Sequence, residues 1–536
     1  MLPFIRISGL GYAFPDGNTL FRNISINITA GKTGIVGANG CGKTTLLKLI
    51  SGDRQPSEGS VLLNGSLAVL EQDHSHYSTR TVTEVLDVGR KLSALYAITS
   101  GTGTEADYTL LDEDWTIEER LLHILRMAGL ETIPPGRLFA DLSGGEATRL
   151  LLAKSLLQNA DFILLDEPTN HLDGKNRELL YAVVRDHSKG LLVVSHDRQL
   201  LRLMDTIVEL GPSAATTYGG NYDFYVQQKE VERSALEQRT LTAELQLIKG
   251  EKIAARTAAS RKIMNVRAHK NSRNGGIPKI LLNRRKGNGE RTLARITAVH
   301  EKKLTRMRNR VDELKTHLQM QNGIKIDLSP NPEYKGKILV KADGVNFGYD
   351  GTLLWQQDID FTLHAKERTS LTGDNGSGKT TFVNLLTGRI QPVCGNVARN
   401  NIRIGIIDQK YEQVDPDLTV LENIQRCAPR GVQEHDLRIR LGRFLFYKED
   451  VFRRAGDLSG GEKCRLAMAC LLAVSNEPDL IILDEPTNNQ DLASIEQMQI
   501  ALQQYSGALL VISHDRDFLE SVGIKTVLDI NKYRKY

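Results

Sequence analysis

The chain has 536 residues, 40% hydrophobic, 25% charged and 6% aromatic, enough for several domains of ordinary α/β material and not the make-up of a disordered or collagenous chain. Its five cysteines (Cys41, Cys394, Cys427, Cys464, Cys470) include no CxxC pair, its longest apolar run has nine residues (Leu466 to Val474), and Met1 to Arg6 carries neither a basic leader nor an apolar stretch. A disulfide framework and a membrane span are therefore excluded, and a reducing, cytoplasmic setting is expected. The net charge of +4 hides a segregation: from Lys252 to Arg310 eighteen Lys and Arg stand against two acids, Glu290 and Glu301, so a basic segment joins two acidic bodies.

In chain order, the first informative element is the apolar run Thr33 to Val36, short enough for a buried parallel strand. It ends at Gly37-Ala38-Asn39-Gly40-Cys41-Gly42-Lys43-Thr44-Thr45, the GxxxxGK[ST] spacing. Such glycines let backbone N–H groups curl around phosphates and the following helix offers its positive end, so Lys43 is expected to reach the β- and γ-phosphates and Thr44 to hold Mg²⁺. Leu142-Ser143-Gly144-Gly145-Glu146 follows, then the run Phe162 to Leu165 ending in Asp166-Glu167, and the run Leu191 to Val194 ending in Ser195-His196. Two carboxylates at the carboxyl end of a buried strand stand where ligands bind in open sheets: Asp166 to orient Mg²⁺ and its waters, Glu167 to polarise the water attacking the γ-phosphate.

All of this recurs. Gly373-Asp374-Asn375-Gly376-Ser377-Gly378-Lys379-Thr380-Thr381 repeats the phosphate loop at an offset of 336, Leu458-Ser459-Gly460-Gly461-Glu462 the serine motif at 316, and Leu480 to Leu483 with Asp484-Glu485 the carboxylate strand at 318. Gln72 and Gln409 still differ by 337, which places an insertion in the first copy near residues 84–138. Two α/β domains of one fold are expected, at 1–221 and 336–536. The segment between them, 222–335, reads as a helical hairpin. On its returning arm Leu304, Met307, Val311, Leu314 and Leu318 keep the 3-4 spacing of a coiled-coil stripe. On the outgoing arm Leu241, Leu245 and Ile248 keep it until Gly250 interrupts it, so pairing is expected near the base only. Asn274 to Pro278 and Gly287 to Gly289 carry turn chemistry at the tip.

With these motifs the sequence resembles the ATP-binding cassette superfamily, whose Leu-Ser-Gly-Gly-Gln signature appears here with Glu in the last place. The resemblance implies two composite ATP sites: Ser143 and Gly145 would complete the second, Ser459 and Gly461 the first. It makes Gln72 and Gln409 the Q-loop glutamines beside Mg²⁺, His196 and His514 the switch histidines, Asp173 and Asp491 the D-loop aspartates, and Phe14 and Tyr349 the aromatics that stack on adenine. The D-loops differ, Asn170-His171-Leu172-Asp173 against Asn488-Asn489-Gln490-Asp491, so unequal sites are one expectation. Cys41 makes thiol sensitivity of the first site another.

Two cassettes on one chain, without a membrane segment and with a basic linker, resemble the ABC-F family of translation-associated ATPases. That implies ATP and Mg²⁺ as ligands and a monomer with intramolecular cassette pairing. It also implies a ribosomal partner in the tRNA exit region, met through the linker and the arm-like insertion, with stall relief or antibiotic protection of the ribosome as the outcome. Lys270, Arg273, Lys279, Arg284, Arg285, Lys286 and Arg291 crowd the tip without aromatics, which suits rRNA or tRNA backbone rather than stacked bases. A DNA-associated structural or repair ATPase stays open as an alternative, as does the soluble ATPase subunit of a transporter.

Overall fold

The computed structural model describes residues 4–70, 75–170, 172–211, 214–272, 298–299, 301–315, 318, 336–349, 351–408, 410–429, 431–472 and 478–534. It divides into two compact units, Met1–Tyr225 with Ile324–Tyr536, and Val226–Gly323. No helix among the described residues is long and apolar enough to cross a membrane.

The first cassette opens with β1 (Ile5–Ala13), β2 (Thr19–Ile28), β3 (Lys32–Val36), α1 (Lys43–Ser51), β4 (Glu58–Leu63) and β5 (Leu67–Leu70). Helices α2 (Val82–Leu86), α3 (Gly89–Thr99), α4 (Glu105–Leu111), α5 (Ile117–Met127) and α6 (Gly144–Leu157) follow. It closes with β6 (Phe162–Asp166), α7 (Gly174–Asp186), β7 (Gly190–Val194), α8 (Arg198–Arg202), β8 (Thr206–Leu210) and β9 (Ala215–Tyr218). The main sheet has the order β5-β6-β7-β3-β8-β9, parallel except for β9, and β2-β1-β4 form a separate antiparallel sheet. The runs expected as buried strands are β3, β6 and β7. Every residue of β6 and β7 is buried, because a parallel strand covered on both faces has no polar side to offer. This order sets the carboxyl ends of β6, β7 and β3 side by side, so the carboxylate pair, the histidine and the phosphate loop converge on one edge.

In the linker unit, α9 (Tyr222–Ser272) runs for 51 residues and α10 (301–315) returns. The returning stripe is as expected: Val311 is buried and Leu304, Met307, Leu314 and Leu318 are half-buried. The outgoing stripe is corrected. Leu241, Leu245 and Ile248 are 58%, 50% and 47% exposed, and the covered positions are Thr240, Ala243, Leu247, Gly250 and Ala254. Gly250 does not end the pairing. A Cβ there would stand 3.3 Å from Leu304 and 3.5 Å from Met307, so the glycine costs helix propensity, about 1 kcal/mol, but makes room for two bulky partners. Arg308–Glu251 (2.8 Å) and Lys315–Glu244 (2.7 Å) flank the contact. The tip turns, the side chain of Lys270, and Arg273, Lys279, Arg284, Arg285, Lys286 and Arg291 lie outside the described residues.

The second cassette repeats the first with β10 (Ile338–Asn346), β11 (Gly348–Tyr349), β12 (Thr352–Leu353), β13 (Ile359–His364), β14 (Arg368–Thr372), α11 (Lys379–Thr387), β15 (Cys394–Arg399) and β16 (Ile404–Ile407). It continues with α12 (Val420–Cys427), α13 (Glu434–Arg443), α14 (Gly460–Leu472), β17 (Leu480–Asp484), α15 (Leu492–Gln504), β18 (Ala508–Ile512), α16 (Arg516–Ser521) and β19 (Thr526–Asp529). Its main sheet has the order β16-β17-β18-β14-β19. Thr81 caps α2 and Thr419 caps α12 with the same reciprocal box, and α5 and α13 precede matching signature helices. Among the described residues α3 and α4 have no counterpart, so within the 84–138 window they are what the first copy adds.

Candidate active site

Gly42 and Gly378, immediately before the two lysines, have φ of 99° and 95°. A Cβ would stand 2.5 Å from Phe21 in the first case and 2.6 Å from Leu354 in the second, so only glycine lets the loop close over those side chains. Lys43 Nζ donates to the carbonyls of Gly37 (2.9 Å) and Ala38 (3.1 Å), and Lys379 Nζ to those of Gly373 (2.6 Å) and Asp374 (3.1 Å). Each ammonium thus lies across the mouth of its own loop. The indole of Trp355 pins the second loop by donating to Ser377 O (3.0 Å).

The first loop borders a cavity of about 450 Å³. Phe14, Asn39, Gly40, Gly42, Lys43, Thr44 and Thr45 line it together with Asp166, Glu167 and His196, so the expected constellation meets in one place. At the second loop Thr380 bonds Asp484, and the Thr381 hydroxyl meets that of Tyr349 at 3.2 Å. Tyr349 is 57% exposed beside the loop, its ring in T-shaped contact with that of Phe347. Gln72 and Gln409 lie outside the described residues. Thr44 bonds Asp166, whose Oδ1 is buried without a partner among the described residues. An orphaned carboxylate oxygen next to a hydroxyl is a hard-oxygen donor set that fits Mg²⁺. The ion, when bound, would neutralise charge building on the phosphate oxygens.

Glu167 and Glu485 share a left-handed backbone, φ 46° and 48°, at the ends of β6 and β17. Burial pushes the Glu167 carboxyl up to about 8, against the pull of Lys43. Burial pushes Glu485 to about 7, against Arg177 and then Lys379. Both values suit a general base working near neutral pH. The imidazoles of His196 and His514 approach these carboxyls at 3.4 Å, yet burial, aided by the nearby lysines, holds them down at about 3 and about 4. The contacts are therefore not ion pairs, and each neutral ring keeps a buried nitrogen unpartnered among the described residues, available to a phosphate oxygen.

The cassettes meet through their D-loops. Asp491 caps α15 with Oδ1, accepting from Ser494 N (2.8 Å), and with Oδ2 accepts the N–H of Asn39 in the first phosphate loop (2.8 Å). Asp173 caps α7 through Asn176 N (2.9 Å) and accepts the N–H of Asn375 in the second loop at 3.5 Å. Asn489, which no motif singled out, lines the first cavity and through its main-chain carbonyl accepts from Asn39 Nδ2 (2.8 Å). Its only sequence signal was the divergence of the two D-loops. Ser143 and Ser459 are the N-caps of α6 and α14, each locked in a reciprocal box with Glu146 or Glu462. Gly145 packs on Asn176 and Gly461 on Ser494, where a Cβ would stand 2.9 Å and 2.1 Å from the side chain. The signature thus leans on its own D-loop helix, and from each cassette the D-loop reaches the opposite phosphate loop.

Two phosphate loops, each with a carboxylate pair and histidine on adjacent strand ends and each bonded to the other half's D-loop, define an ATP-binding-cassette ATPase. The family model described as ABC transporter matches residues 21–170 and 356–488. The chain is similar to the probable ATP-binding protein YbiT of Escherichia coli O157:H7, 30% identical over 537 residues covering 96% of this chain and 94% of that one. It is 29% identical over 544 residues to ABC transporter F family member 5 of Arabidopsis thaliana (96% and 73% covered). It is 28% identical over 539 residues to the energy-dependent translational throttle protein EttA of Escherichia coli K12 (96% and 90%). The chain belongs to the ABC-F family.

Proposed function

We propose that this protein is a ribosome-binding ATPase that modulates translation. ATP and Mg²⁺ at both loops close the cassettes on each other. The closed form presents the basic hairpin and the α3–α4 insertion to rRNA and tRNA near the exit site, and hydrolysis removes the ligand that favoured closure. Glu167 and Glu485 polarise the attacking water, His196 and His514 hold the γ-phosphate, and Phe14 and Tyr349 stack on adenine. Ser459 and Gly461 complete the first site, Ser143 and Gly145 the second. The observation that carries this reading is the reciprocal D-loop bonding, Asp491 to Asn39 and Asp173 to Asn375, which makes each site depend on both halves of one chain. The ribosome as partner is supported by the relative whose name is a translational throttle and by the charge of the Lys252 to Arg310 segment, suited to phosphate backbone. Relief of stalled translation and protection of the ribosome from an antibiotic are the two outcomes that fit.

The test is co-sedimentation of Glu167→Gln/Glu485→Gln protein with purified ribosomes, with and without ATP, across a salt series. ATP should still bind, turnover should fall at least about 100-fold, and pelleting should require ATP and weaken as salt rises. Retained ATP binding without pelleting, or preferential retention on duplex DNA, would overturn the ribosomal reading.

A further inference from the structure

Between the cassettes lies a void of about 20 Å³, walled by Glu167, His196 and Arg177 from the first half and by Asn488 and Ile495 from the second. Besides the D-loops, the two halves differ here at the matched pair Arg177 and Ile495. Arg177 follows Asp173 by four residues and Ile495 follows Asp491 by four, each in the first turn of the helix that its aspartate caps. Both are buried, 8% and 1% exposed. The isoleucine is ordinary core. A buried guanidinium needs partners, and those of Arg177 divide between the halves. Its Nε donates to Leu172 O (3.1 Å) and its Nη1 to Asp197 Oδ2 (3.4 Å), while Nη2 crosses to Asn488 Oδ1 (3.5 Å). Asn488 closes the turn that Glu485 begins, its N–H donating to Glu485 O (3.2 Å). The positive charge of Arg177 also acts on the Glu485 carboxyl and on His514. For the turn of the first half, Glu167 to Asn170, the residue at the position matching Arg177 is Ile495, which lines the same void and has no side-chain group able to donate a hydrogen bond across it.

We infer that Arg177, carried by the first cassette, is a positioning residue for hydrolysis at the second phosphate loop: across the interface it fixes the Glu485–Asn488 turn that aims Glu485 at the attacking water. That turn has cause to need support. Glu485 holds φ 48°, a conformation disfavoured for a residue with a side chain, and its Oε2 is buried without a partner among the described residues. The first site has Ile495 in place of this support, so the two sites are unequal by composition.

The inference rests on Glu167 and Glu485 being the hydrolytic carboxylates, and the experiment isolates the sites through them. Glu167→Gln leaves the second loop active and Glu485→Gln the first. Added to Glu167→Gln, Arg177→Gln is expected to lower kcat about tenfold, with KM for ATP moving less than about twofold. Added to Glu485→Gln, it is expected to lower kcat less than about twofold, and Arg177→Lys should recover at least about a third of the loss in the first background. Equal losses in both backgrounds would reduce Arg177 to packing within its own cassette and overturn the inference, as would a loss confined to Glu485→Gln protein. If each single carboxamide variant kept full turnover, the carboxylate assignment would fall, and the inference with it.

Discussion

Cys41 sits inside the first phosphate loop, two residues before Lys43, where the second copy has Ser377. Its sulfur lies 2.8 Å from the point where a Gly37 Cβ would stand. Burial raises its thiol above the ordinary value, against the pull of Lys43. The nucleophile is the thiolate, so a raised pKa leaves less of it at neutral pH. Iodoacetamide should therefore modify Cys41 slowly at pH 7.5, the rate should climb through pH 9 and beyond, and ATP·Mg²⁺ should slow it further. Labelling at pH 7.5 as fast as a free surface thiol, read by peptide mass, would contradict this burial. At the same scale, Lys43, Thr44, Asp166 and Glu167 were legible from the chain because neighbouring residues on a strand end and its loop have their geometry set locally. Asn489 and Arg177 were not, since each acts on a loop in the other half.

At the level of elements, the Glu in the fifth place of each signature has a local reason: it closes a capping box on Ser143 or Ser459. Burial pushes both carboxyls up, but hydrogen bonds from the serine N–H and hydroxyl, together with the nearby guanidinium groups of Arg137 and Arg149 for Glu146 and of Arg453 for Glu462, outweigh it and hold both below the usual range. A lowered folded-state value means that this stabilisation is present above the unfolded value of about 4.5 and is lost as pH falls through the folded one. Glu462→Gln should then lower the thermal midpoint at pH 7 by a few degrees and flatten its decline between about pH 5 and pH 3. An unchanged acid limb would show that the cap carries no titrating stability. The strands were equally legible: Phe162 to Leu165 and Ala508 to Ile512 are apolar throughout because they are buried on both faces. The outgoing helix of the hairpin misled, since its large residues Leu241, Leu245 and Ile248 point outward and its packing face is built mostly from small ones, with Leu247 the one large residue among Thr240, Ala243, Gly250 and Ala254. Hydrophobicity alone finds bulk, whereas close helix approach selects for its absence.

Across the whole molecule, the first compact unit holds both cassettes through a short set of polar bridges. Arg202 Nη1 reaches Asp517 (2.7 Å) while its Nε holds Asp223 (2.9 Å), and Arg198 donates to Gln499 (3.0 Å). With the Arg202 side chain 35% exposed, its bridge is screened and modest in strength. Arg202→Ala is expected to lower kcat/KM for ATP about two- to fivefold at low salt, and the difference from the parent protein should vanish near 0.5 M salt. A deficit that persists at high salt would indicate damage within the first cassette rather than a weakened bridge between the two.

By itself the sequence determined the duplicated α/β architecture, the phosphate loops and the carboxylate and histidine positions, because each of those features is encoded in a contiguous stretch whose spacing is its geometry. Only the tertiary structure decided what joins the halves. Asn39 and Asp491 are 452 positions apart, and Arg177 and Asn488 are 311 apart, and no local spacing records a contact made by folding two domains against each other. The same holds for the hairpin, where Gly250 breaks a stripe on paper and makes room for Leu304 and Met307 in the fold. A glycine's meaning depends on what approaches it, and that is settled by the partner helix.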